Sequence, residues 1–240
     1  MAGKLLKLFF YIAFIMLVSA YACKQDMGQP TPPVNNGNRN NHYRFLALGD
    51  SYTIGQSVAE KERFPEQTRA KLTAAGKYID NVIYIAATGW TTTDLQNAMD
   101  QQNPQGPFDI VTLLIGVNDQ NKQRDTTGYS DKFTRLLQKA VQLAGDKHDH
   151  VFVISIPDYS VTPYGWIDDT MFIRKQIDMF NSINLRVANA YNISYTNITP
   201  LSREAFNDPS LIAGDGLHPS GKMYEKWADL LEPAIKKILK

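Results

Sequence analysis

At 240 residues, with 43% hydrophobic and 20% charged positions, the chain can bury a sizeable core in one large domain or two small ones. Its formal net charge is +1. No basic face able to track a phosphate backbone is implied, so nucleic acid is not an expected partner.

The chain opens with Lys4 and Lys7, followed by fifteen uncharged residues, 8–22. That run is short of the about 18–20 apolar residues a membrane span needs. A basic start, an apolar middle and small residues at the exit (Ala20 and Ala22) fit a signal peptide over 1–22. The only cysteine, Cys23, follows at once and cannot form an internal disulfide. The stretch Val18-Ser19-Ala20-Tyr21-Ala22-Cys23 resembles a bacterial lipobox, with Ala20 where leucine is usual. That resemblance implies lipidation of Cys23 and a membrane-anchored exported protein, periplasmic or at the cell surface. Simple secretion and an uncleaved anchor are the lesser readings. Residues 24–41 hold Pro30, Pro32, Pro33, Gly28, Gly37 and five asparagines without apolar periodicity, the composition of a flexible tether. The expected organisation is a signal peptide over 1–22, the lipidated cysteine and tether over 23–42, and a folded domain over 43–240.

From there strands and helices alternate. Continuous apolar runs at 45–48, 82–86, 110–115, 151–156 and, more weakly, 193–198 suit strands covered on both faces. Phe133, Leu136, Leu137, Ala140, Val141 and Ala144 share one helical face, as do Ile173, Ile177, Phe180, Asn184 and Val187. A last helix carries Tyr224, Trp227, Leu231, Ile235 and Ile238, with a kink expected at Pro233. Shorter helices are predicted near 65–75 and 93–102. The repeated strand–helix units predict an α/β fold, a three-layer sandwich around a central parallel sheet of about five strands.

Ligands of open parallel sheets bind beyond the carboxyl ends of the strands. Ser51 follows the first strand, Gly89 the second, Gly116 and Asn118 the third, and Asp215 and His218 come after the fifth. Each residue has a bland role as well. Ser51 suits a helix cap, Gly89 a turn, Asn118 an Asx turn, Asp215 a turn between two glycines, and His218 a turn before Pro219. Together they carry more. A serine hydroxyl becomes a nucleophile when a histidine takes its proton and a carboxylate orients that histidine. The spacing Asp215-x-x-His218 can put both side chains on one side of a turn. Asn118 can aim its amide at an oxyanion, and Gly89 can offer a backbone N–H. Of the other histidines, His42 lies in or beside the tether. His148 and His150 precede the fourth strand at the opposite sheet edge, and two such residues without a third are weak evidence of a metal site. Thr53 stands where the Gly-x-Ser-x-Gly elbow of α/β-hydrolases needs glycine.

Gly-Asp-Ser at 49–51, Gly89, Gly116-x-Asn118-Asp119 and Asp215-x-x-His218 occur in the order of the four blocks of the SGNH hydrolases, the GDSL-type esterases and lipases. The resemblance runs from about Tyr43 to Lys240, with Tyr52 where the family name expects leucine. It implies a flavodoxin-like α/β/α sandwich, with Ser51 as nucleophile, His218 as base and Asp215 orienting it. It also implies an oxyanion hole of Ser51 N–H, Gly89 N–H and the Asn118 side chain. The expected activity is serine ester hydrolysis through an acyl-enzyme, with no metal or organic cofactor. The substrate is expected to be a small-molecule or carbohydrate ester with a small acyl group, such as acetyl. Tyr52 and Trp90 flank the proposed centre. Tyr159, Tyr164 and Trp166 follow strand four and could meet sugar rings or an acyl chain. Two other readings stand beside this one: a lysophospholipase or thioesterase, and a non-catalytic surface glycan-binding module.

Overall fold

The computed structural model describes residues 42–240. The expected signal peptide, Cys23 and residues 24–41 of the tether lie outside the described residues. Among the described residues, no helix is long and apolar enough to cross a membrane.

The elements alternate as the apolar runs predict. In chain order they are β1 (His42–Tyr43), β2 (Phe45–Gly49), α1 (Ser51–Ile54), α2 (Phe64–Ala74), β3 (Tyr78–Ile79), β4 (Ile83–Ala86), α3 (Thr92–Gln102), β5 (Ile110–Leu114), α4 (Val117–Gln123), α5 (Tyr129–Leu143), β6 (Val151–Ile154), α6 (Thr170–Ala190), β7 (Ser194–Thr196), α7 (Thr199–Arg203) and α8 (Gly221–Ile238). Five strands form one parallel sheet in the order β4-β2-β5-β6-β7. Counting only those five, the order is 2-1-3-4-5, the flavodoxin-like winding. Helix α2 packs on α8, and α5 packs on α3 and α6, so two groups of helices flank the sheet.

β2, β5 and β6 are buried along their whole lengths, which is why their sequences read as apolar runs, interrupted only by Thr112 in β5. β7 at the sheet edge pairs on one side only, with β6, and shrinks to three residues. Helix α8 runs through Pro233 without ending. Three features have no counterpart in the sequence reading, helix α7 after β7 being one. His42 and Tyr43 pair with Tyr78 and Ile79 in a separate two-stranded parallel sheet. Short helices α1 and α4 follow directly on β2 and β5.

The winding positions the site. The order reverses between β2 and β5, and ligand crevices of such sheets open at the carboxyl ends of the strands on either side of that reversal. Ser51 leaves β2 there, and Asn118 lies just beyond β5.

Candidate active site

Ser51 is the first residue of α1. Asp50 caps that helix: its Oδ1 accepts from the Tyr52 N–H at 3.0 Å, and its carbonyl accepts from the N–H groups of Thr53 and Ile54 at 3.1 Å. The strand-to-helix turn is tight enough to require glycine before it. A Cβ on Gly49 would collide with the Thr53 side chain and the Leu114 carbonyl. Ser51 is thereby held 5% exposed, with its backbone N–H unused by the helix ladder.

His218 and Asp215 sit on the turn before α8. That turn is fastened by Ala213 N–H to the His218 carbonyl at 2.7 Å, by Gly216 N–H to the Ala213 carbonyl at 3.1 Å, and by a bridge between Ile212 and Pro219. His218 Nε2 lies 2.9 Å from Ser51 Oγ, and His218 Nδ1 lies 2.6 Å from Asp215 Oδ2. With Nδ1–H donating to the carboxylate, the Nε2 lone pair faces the serine O–H, the tautomer a general base needs. Asp215 Oδ1 accepts from the N–H groups of Leu217 at 2.9 Å and His218 at 3.0 Å, and Oδ2 also accepts from Ser57 Oγ at 2.6 Å. Partial burial pushes this carboxyl up, but the hydrogen bonds from Ser57, His218 and Leu217 outweigh it and hold it well below the ordinary carboxylate range.

The two further residues proposed to bind an oxyanion lie beyond β4 and β5: Gly89 in a turn and Asn118 on α4. Residues 87–90 form a turn closed by Trp90 N–H to the Ala87 carbonyl at 3.3 Å. Its third residue, Gly89, has φ +81°, which a type II turn demands and glycine meets freely. Asn118 Nδ2 donates to the Trp90 carbonyl at 2.9 Å. An amide has two N–H groups, so one remains for another acceptor. Asn118 lines a cavity of about 70 Å³ together with Ser51, Tyr52, Val117, Asn121, Tyr159, Tyr164, Leu217 and His218. Gly89 and Trp90 are not among its lining residues. Tyr52 is 3% exposed, with its ring centroid 5.3 Å from that of His218. Burial, then the nearby Asp50 charge, raises its phenol well above the usual value.

The remaining histidines stand elsewhere. His42 Nδ1 meets Asp80 at 3.1 Å, His148 Nδ1 meets the Tyr191 carbonyl at 2.5 Å, and His150 Nδ1 meets the Asp109 carbonyl at 2.7 Å. Trp166 is 57% exposed and lines a separate groove of about 440 Å³ with Met171, Phe206 and Arg174.

Several residues of the site have no mark in the sequence reading. Ser57 contacts Asp215 across 158 positions, which no local motif encodes. Asn121 was within reach of pattern reasoning, since it lies three residues after Asn118 on one helix face. Asp50 is fully buried with Oδ2 unpartnered among the described residues. Burial, then the Asp119 charge, pushes its carboxyl up to about 8 against the Tyr52 N–H that lowers it.

A sequence model of the GDSL-like Lipase/Acylhydrolase family matches residues 47–226. No curated protein sequence matches the chain. Among solved structures, the chain is similar to the psychrotrophic esterase EstA from Pseudoalteromonas sp., at 20% identity and a TM-score of 0.58, covering 82% of this chain and 98% of that one. It is similar to the lipase/acylhydrolase from Enterococcus faecalis, at 21% identity and a TM-score of 0.60, covering 82% and 97%. It is also similar to a variant of an acetyl xylan esterase from Geobacillus stearothermophilus, at 19% identity and a TM-score of 0.60, covering 80% and 94%.

Proposed function

The chain belongs to the GDSL-like lipase/acylhydrolase family, an ester-hydrolysing family, and on that premise we propose that it is a serine esterase whose nucleophile is Ser51. The observation that carries this reading is the hydrogen-bonded line from Ser51 Oγ through His218 to Asp215, at 2.9 and 2.6 Å.

Ser51 Oγ attacks the ester carbonyl as its proton passes to His218 Nε2. Asp215 stabilises the imidazolium through Nδ1–H. The oxygen of the tetrahedral intermediate takes hydrogen bonds from Ser51 N–H, Gly89 N–H and the free Asn118 N–H. The intermediate collapses, and the leaving alcohol departs with the proton from His218. Water, giving a proton to His218, then attacks the acyl-enzyme. The acid leaves, and the proton returns to Ser51. The scheme requires neither metal nor organic cofactor.

The acyl group is small, with acetyl esters of carbohydrate the favoured class. In support, the cavity at Ser51 is about 70 Å³, against roughly 300–1,000 Å³ for drug-sized ligands. Asn118, Asn121 and the Tyr159 hydroxyl add polar groups to its wall. One fold relative is described as an acetyl xylan esterase. The domain, which the pairing of His42 in β1 extends to residue 42, is exported behind the signal peptide 1–22 and tethered to a membrane through lipidated Cys23 and residues 24–41. The mass of the mature N-terminus tests this.

Hydrolysis of a short-chain aryl ester by the wild-type chain and by Ser51→Ala tests the reaction. Loss of turnover by about 10⁶-fold in Ser51→Ala is expected from removal of a serine nucleophile. Wild-type turnover in that variant overturns the assignment.

A further inference from the structure

The turn that carries Gly89 is clasped by helix α4. Asn118 Nδ2 donates to the Trp90 carbonyl at 2.9 Å, and Lys122 Nζ donates to the Gly89 carbonyl at 2.9 Å. Asp119, 1% exposed, accepts from the Thr92 N–H at 2.8 Å and from the Thr92 hydroxyl at 2.6 Å. Three residues of one helix thus hold three residues of the segment 89–92. Asn118 and Lys122 are four apart and share a helix face, so both reach the same turn. On the other flank, Thr88 Oγ1 donates to Gln56 Oε1 at 2.7 Å, in the loop that follows the helix of Ser51.

We propose that Asp119 and Lys122 are positioning residues that fix the Gly89 amide relative to the Asn118 amide, so that both donors meet one oxyanion. This rests on the reading of Ser51 as nucleophile. Neither residue touches the reacting atoms in this scheme; both act through the turn. Gly89 has no side chain with which to anchor itself, and its φ of +81° lies where a chain without outside bonds would move freely. Oxyanion donors stabilise a transition state when they are set before charge develops, about 2.7–3.1 Å from the oxygen. A misplacement near 1 Å can cost about 10²-fold in rate. Asp119 sits beside Asn118 in the chain and holds Thr92, three residues beyond Gly89, so it ties the two donor-bearing segments together from within the core.

The test uses the full chain with Lys122→Met, Lys122→Arg, Thr92→Val, Thr92→Ser and Asp119→Asn. The measurements are kcat and KM on a short-chain aryl ester, the thermal midpoint, and the Gly89 amide resonance in a ¹H–¹⁵N spectrum. Lys122→Met is expected to displace the Gly89 resonance and lower kcat about threefold to tenfold. KM should stay within about twofold and the thermal midpoint should not move. Lys122→Arg restores most of the rate. Thr92→Val lowers kcat by about tenfold, and Thr92→Ser restores it. Lys122 is exposed and Thr92→Val conserves shape, so the test stands even if Asp119→Asn fails to fold. An unmoved resonance in both Lys122→Met and Thr92→Val, or a moved resonance with unchanged kcat, overturns the proposal. If the wild-type chain hydrolyses no ester while Lys122→Met displaces the Gly89 resonance, the clasp stands and the hydrolase reading falls. If the wild type hydrolyses ester and the variants match it, the clasp falls alone.

Discussion

Ser57 Oγ donates to Asp215 Oδ2 at 2.6 Å, the same carboxylate oxygen that meets His218 Nδ1. The loop after the helix of Ser51 therefore braces the far end of the hydrogen-bonded line from Ser51 through His218. Ser57 holds φ +66°, a strain its Cβ already carries and alanine would share, while glycine would free the backbone. Ser57→Ala therefore removes the hydroxyl alone. Steady-state kinetics of Ser57→Ala should show kcat lowered by about twofold to tenfold, the scale of one lost hydrogen bond to a charged group that solvent partly replaces. Unchanged kinetics would mean that Asp215 needs no support from this side.

The same hydrogen bonds set the acid behaviour of Asp215. Its folded value lies below its unfolded one. It therefore contributes stability above the ordinary carboxylate range, and that contribution is lost as pH falls through the lowered folded value. Acid titration of stability in the wild type and in Asp215→Asn checks this. The difference between the two curves should persist at pH 5 and shrink only at strongly acidic pH.

Asp50 has the opposite sign. Burial raises its carboxyl to about 8. The unfolded chain then releases a proton near pH 4 that the folded chain keeps. The contribution of Asp50 is complete below pH ~4 and is lost as pH rises through about 8. Urea midpoints measured from pH 5 to 9 should fall less in Asp50→Asn, which is neutral throughout, than in the wild type. A parallel fall in both would place the titration elsewhere.

Asn118 carries two duties with one amide, a bond to the Trp90 carbonyl and a proposed bond to the oxyanion. Asn118→Ala should lower kcat by about 10²–10³-fold, as loss of one oxyanion donor does. A loss below about tenfold would remove Asn118 from the oxyanion hole.

Under the proposed reading, the cavity of about 70 Å³ beside Ser51 would limit the length of the acyl group. Across acetyl, butyryl and octanoyl esters of one alcohol, kcat/KM should fall by at least about tenfold from first to last, since each ill-fitting methylene costs on the order of tenfold or more. Tyr164 is 47% exposed on the cavity wall, so Tyr164→Ala should flatten the series. A wild-type maximum at octanoyl would favour a lipid ester or thioester instead.

How much of this was legible in the sequence follows from what each part depends on. The buried strands β2, β5 and β6 announce themselves because both faces are covered and, apart from Thr112 in β5, no position is polar. Their parallel direction, and so the single edge that gathers Ser51, Asn118, Asp215 and His218, follows from alternation with helices, whereas their order is seen only in the folded sheet. β1 and β3 have two residues each, too few to show a period. Helices α1 and α4 are short, start beside Asp50 and Gly116, and look locally like turns. Ser57, Thr92 and Lys122 make their bonds at separations of 27 to 158 positions. Nothing near them in the chain marks those partners. The burial of Asp50 is likewise a property of the packed fold, since the sequence shows it only as the middle residue of Gly-Asp-Ser at 49–51.

The reaction of the folded chain with a fluorophosphonate, with the modified residue mapped by mass spectrometry, tests the central claim most directly. Ser51 beside His218 should take the phosphonyl group stoichiometrically, with loss of ester turnover, and Ser51→Ala should take none. Labelling at another residue, or equal labelling of Ser51→Ala, would contradict the assignment of Ser51 as the nucleophile.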